Sequence, residues 1–133
     1  MKRSEIASVV TILCVAAPAA AEPIGTWVNP SHTVEVVTRD CGKALCGWVT
    51  WSTADAALDA AAAGTSHLIG TEVLLNYLPA AAANWRERVL VPDMGRTFDS
   101  MISHVDANNI RVSGCVLYGL ACRSEIWTRV DSK

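Results

Sequence analysis

Residues 85–116 read WRERVLVPDMGRTFDSMISHVDANNIRVSGCV, and this stretch decides the fold. Pro92-Asp93-Met94-Gly95 is a turn: proline presets φ, aspartate favours the bend and glycine accepts a positive φ. Asp106-Ala107-Asn108-Asn109 is a second turn of the same kind. Between and beyond them lie apolar segments. In the last, Ile110, Val112, Gly114 and Val116 alternate with Arg111, Ser113 and Cys115, the period of a strand with one buried face. Strands at 85–91, 97–104 and 110–116, joined by tight turns, make an antiparallel meander.

The same grammar extends outward. Tyr118-Gly119 turns the chain into a final strand at 122–130 (CRSEIWTRV). Upstream, 72–78 (EVLLNYL) is a strand, and the alanines at 80–83 form a loop or one helical turn. Segment 54–63 (ADAALDAAAA) is a helix former. Ser52 with Asp55 suggests a capping box, and Gly64 suits its C-terminal end. Residues 33–39 (TVEVVTR) and 45–51 (LCGWVTW) pair about Asp40-Cys41-Gly42-Lys43, and 25–28 (GTWV) leads them. About eight strands in one small domain close most simply into an up-and-down β-barrel, which also removes exposed sheet edges. The expected fold is therefore an all-β antiparallel barrel with one short Ala-rich helix.

The first 21 residues follow a different logic. Lys2 and Arg3 precede an apolar run at 6–17, Pro18 breaks it, and Ala19-Ala20-Ala21 has the small residues of a signal-peptidase site. A membrane anchor is the alternative, but the run is short for a hydrocarbon core of about 30 Å. Cleavage after Ala21 leaves 22–133 as a single barrel domain in the periplasm or outside the cell, with no membrane span. It shifts the formal charge from −2 to −3, and neither value suggests a nucleic-acid partner. The remaining 112 residues hold 40 apolar side chains larger than alanine, a thin core that suggests a small cavity or none.

Cys41, Cys46, Cys115 and Cys122 remain after cleavage, an even number suited to two disulfides in an oxidising compartment. Local pairing, Cys41–Cys46 and Cys115–Cys122, would clip two turns. A four-cysteine zinc site is the alternative, although zinc ligands usually come in closer pairs.

Gly25-Thr26-Trp27 near the start and Arg129 near the end resemble the G-x-W and C-terminal arginine of the calycin superfamily, which includes lipocalins and fatty-acid-binding proteins. The resemblance implies a barrel whose end is closed by Trp27 with Arg129 packed across it. A closer resemblance, over nearly all of 22–133, is to a domain-of-unknown-function family of small secreted bacterial proteins. It rests on Gly25-Thr26-Trp27, on Cys41-Gly42 with Leu45-Cys46-Gly47 (C-G-x-x-L-C-G), on Pro92 to Phe98 (P-x-x-G-K-x-Y), and on Trp127-Thr128-Arg129. Leu90-Val91 stand where that family usually has Tyr-Asp, and Cys115 replaces an aromatic, so the Cys115–Cys122 pair is expected to be peculiar to this chain. The resemblance implies fold and compartment but no activity.

No motif for catalysis stands out. His32, His67 and His104 are isolated from one another and lack metal-binding spacing. No serine has a nucleophile-elbow context, and no phosphate loop is present. A hydrolase would require His67 or His104 to meet a serine and an acid in space. Arg86 and Arg88 share a strand face and Arg111 lies two strands on. Pointing inward they would grip a ligand carboxylate; pointing outward, with Leu90, they would be a solvated face. Trp48 and Trp51 are expected on opposite faces of their strand, one of them at a mouth or surface that contacts a ligand. The expectation is a non-enzymatic barrel, without cofactor or metal, that binds a small hydrophobic or amphipathic ligand. The alternative is an envelope interaction module with a side-chain-filled barrel.

Overall fold

In the computed structural model, the described residues are 8–11, 22–81, 83–117 and 120–130. The leader expected at 1–21 falls almost wholly outside them, as does the turn at Tyr118-Gly119. Among the described residues, eight strands form one closed antiparallel barrel in sequence order. They are β1 (Gly25–Val28), β2 (Val34–Cys41), β3 (Ala44–Ser52), β4 (Glu72–Pro79), β5 (Asn84–Val91), β6 (Arg96–Asp106), β7 (Asn109–Val116) and β8 (Ala121–Arg129). A single helix, α1 (Ala54–Ala62), interrupts the meander between β3 and β4. Among the described residues, no helix is long and apolar enough to cross a membrane.

The turns form where their chemistry dictates. Gly95 adopts φ 62° after Pro92, and Gly42 adopts φ 73° between β2 and β3. At the β6–β7 turn the Asp106 carboxylate accepts the Asn108 backbone N–H at 2.8 Å and the Asn109 amide at 2.9 Å. These donors, Asn108 first, hold its carboxyl below the usual range. Both expected disulfides are present, with Cα separations of 5.9 Å for Cys41–Cys46 and 4.1 Å for Cys115–Cys122. The second pair joins residues directly opposite each other on β7 and β8.

Two local expectations are corrected. The helix cap is Thr53, whose hydroxyl accepts from the Ala56 N–H, and not Ser52. The reason is that β3 runs on through Ser52, so the first residue beyond the strand is Thr53. Trp48 and Trp51 also do not lie on opposite faces. Val36 pairs with Val49 but Glu35 pairs with Trp51, so β3 carries one extra residue, a bulge at Thr50. The bulge returns Trp51 to the outer face occupied by Trp48, opposite Glu35 and Val37 respectively.

The core divides the barrel in two. Trp27, Leu45, Leu74, Tyr77, Ile102 and Ile110 are buried in the half next to the β2–β3, β4–β5 and β6–β7 turns. Gly47 lets β4 come close there, since a Cβ at that position would lie 2.7 Å from Leu74 Cδ1. The other half is walled largely by valines. Valine reaches too short a distance to meet across the barrel, so this half stays open as a cavity of about 1220 Å³. The thin core therefore does not mean a small cavity. Its bulky side chains are concentrated at one end.

Candidate functional site

The closed end is built on Trp27. Its indole Nε1 donates to Thr38 Oγ1 at 3.0 Å, and the Thr38 hydroxyl in turn donates to the Pro23 carbonyl. The Arg129 guanidinium stacks over the Trp27 ring at 4.4 Å, donates to the Ile24 carbonyl at 2.8 Å and, through Nε, to the Ala107 carbonyl at 2.9 Å. Gly25 sits beneath this arginine: a Cβ there would stand 2.1 Å from Arg129 Nη1. Glycine, tryptophan and arginine are thus one interlocked plug, the arrangement implied by the calycin resemblance.

The open end holds the cavity. Val34, Val36, Val49, Val73, Val89 and Val112 supply apolar wall, and Phe98 and Trp127 supply aromatic surface. α1 lies across the mouth with Ala56 and Ala60 facing the space, and alanine at these positions leaves room below. The helix end is close to the β5–β6 turn, where a Cβ on Gly95 would fall 2.4 Å from the Ala63 carbonyl oxygen. Charged groups at the cavity are Asp55 and Asp59 on α1, Asp93 in the β5–β6 turn, and Arg123 and Glu125 on β8. Trp127 Nε1 donates to Glu125 Oε2 at 3.2 Å, which fixes a carboxylate beside the indole.

The arginines singled out from sequence lie elsewhere. Arg86 stands opposite Leu78 and Met101, Arg88 opposite Leu75 and Asp99, and Arg111 opposite Ser103 and Ile126. All three are exposed, on the outer face that Leu90 shares by alternation, and none lines the cavity. The inward cluster imagined for a ligand carboxylate is not formed, because Trp85 and Val89 take the inward positions of β5. Trp48 is covered on the outside by Arg39, 4.8 Å from its ring, and Trp51 is 44% exposed. His32 sits in the β1–β2 turn, His67 is exposed in the loop after α1, and His104 lies near the end of β6. Arg123 and Glu125 were missed by sequence reasoning, although a signal existed: in CRSEIWTRV they alternate onto the face of Trp127.

A buried polar pair lies deeper. Tyr77 is fully buried and Ser100 nearly so, and neither hydroxyl makes a hydrogen bond of good geometry. Burial pushes the Tyr77 phenol well above its ordinary range; the Ser100 hydroxyl offsets part of this and the Glu87 carboxylate adds to it.

Fold and site together define a small eight-stranded antiparallel barrel, plugged at one end and hollow at the other. The chain belongs to the bacterial family described as "Uncharacterized protein conserved in bacteria (DUF2147)", which it matches over residues 25–129. The match runs from the glycine of the plug to its arginine. No curated protein and no solved structure matches the chain.

Proposed function

We propose that this protein is an exported barrel that binds a small hydrophobic or amphipathic ligand in its open half, without catalysis. The observation that carries this is the apolar cavity of about 1220 Å³, of the scale small-molecule sites require and walled by aliphatic and aromatic side chains. A chain with few large apolar residues leaves this volume unfilled, while its plug, turns and disulfides hold the walls in place. Export fits the two disulfides, which persist in oxidising compartments. It also fits the leader-like residues 1–21.

Native mass spectrometry of protein isolated from the periplasm tests the reading. The expected result is a bound mass that is lost on denaturation and regained from a panel of lipids and amphiphiles. A clean apo mass, with no member of the panel bound, overturns it. In that case the exposed outer face around Trp51 becomes the surface to examine for a partner protein.

A further inference from the structure

We propose that the ligand is a cationic amphiphile, with its ammonium head against Trp127 and Glu125 and its apolar body along the valine walls. This inference rests on the cavity being a ligand site and specifies the chemistry of its occupant. Among the described residues that line the cavity, four are acidic (Asp55, Asp59, Asp93 and Glu125) and one, Arg123, is basic. An anionic head would enter a field of its own sign, whereas a cation meets a complementary one. The acidic groups come from three separate elements: Asp55 and Asp59 on α1, Asp93 in the β5–β6 turn, and Glu125 deeper on β8, opposite Val112.

Trp127 gives the field a focus. Its indole lines the cavity, and an aromatic face attracts an ammonium group. Its Nε1 donates to Glu125 Oε2 at 3.2 Å, which holds the carboxylate at the edge of the ring. Glu125 is exposed to the cavity, and its second oxygen can accept a charge-assisted hydrogen bond from an ammonium N–H. Phe98, two strands away on β6, adds a second aromatic wall. The aliphatic surface beyond accepts a hydrocarbon chain, as in any apolar pocket. The fatty-acid solution, a cluster of inward arginines around a carboxylate, is not built here: Arg86, Arg88 and Arg111 are outside, and among the described residues Arg123 alone of the arginines lines the cavity.

The test compares three probes with one twelve-carbon tail: dodecylammonium, dodecyl sulfate and uncharged dodecyl maltoside. Each is titrated below its micellar concentration into the oxidised protein, with calorimetry and tryptophan fluorescence as readouts. Dodecylammonium is expected to bind one-to-one, about tenfold tighter than dodecyl sulfate at low salt. Glu125→Gln should weaken the cation by about fivefold and leave the maltoside unchanged. Asp59→Asn, on α1 at the mouth, should shift the cation in the same direction by less, so the inference does not depend on one variant folding. Tighter binding of the sulfate, or cation affinity unmoved by both variants, overturns the cationic assignment while leaving the cavity as a binding site. Failure of all three probes to bind overturns the binding site itself and the cationic assignment with it.

Discussion

Thr38 and Tyr77 both carry a hydroxyl into the closed half of the barrel, and the two meet different fates. Thr38 Oγ1 accepts from the Trp27 indole and the Gly25 N–H, each at 3.0 Å, and donates to a carbonyl. It is a buried polar group with its valences filled. The Tyr77 hydroxyl has no such partner, so removing it abolishes no bond. Tyr77→Phe is expected to leave stability at neutral pH unchanged or raise it by up to about 1 kcal/mol, measured by urea unfolding. The sign of the pH effect follows from burial. The folded phenol stays protonated where an unfolded tyrosine ionises, so stability is lost as pH rises through about 10. The variant lacks that loss, and its margin over the wild type should widen between about pH 8 and about pH 11 in melting experiments. An equal margin at both values would show that the phenol is not shielded.

At the scale of elements, turns and strands were legible from sequence because their signals are local. Proline, aspartate and glycine specify a bend within four residues, and alternation specifies a face within six. What escaped was set by neighbours. The bulge at Thr50 depends on how β2 and β3 register, and it turned Trp51 to the face of Trp48. The helix cap moved to Thr53 because β3 claims Ser52. The disulfides are element-scale devices too: each clips one hairpin, Cys41–Cys46 at the closed end and Cys115–Cys122 near the open one. Replacing Cys115 and Cys122 together by serine should cost about 2 kcal/mol by the loop-entropy relation, read from denaturant midpoints. The same exchange at Cys41 and Cys46 should cost a similar amount, and the two losses should add, since the pairs clip different hairpins at opposite ends of the barrel.

For the molecule as a whole, the closed barrel was legible from the strand count, but the hollow was not. Interior volume is a sum over eight strands after closure, and no segment announces it. The two charged residues that β8 adds to the cavity were legible by alternation from Trp127. They were overshadowed by the arginine pair on β5, whose inward neighbours only the closed barrel reveals. The partition into filled and hollow halves sets stability against binding. Val34→Phe, which adds bulk to the cavity wall, should hold or raise the melting temperature while weakening amphiphile binding by about tenfold or more. A destabilised variant that still binds as well as the wild type would mean that the hollow is neither vacant space nor the binding site.

The seam of the barrel bears on how such a chain is made. β1 and β8 share only two register pairs, Trp27 with Arg129 and Val28 with Thr128, against eight between β5 and β6. The strands that meet there are the first and last of the eight to leave the ribosome. β1 must therefore wait, hydrogen-bonded on one side only, until β8 arrives. Until then the nascent protein is a sheet with two raw edges. Arg129, reaching back to the Ile24 carbonyl, is the clasp that turns the sheet into a ring.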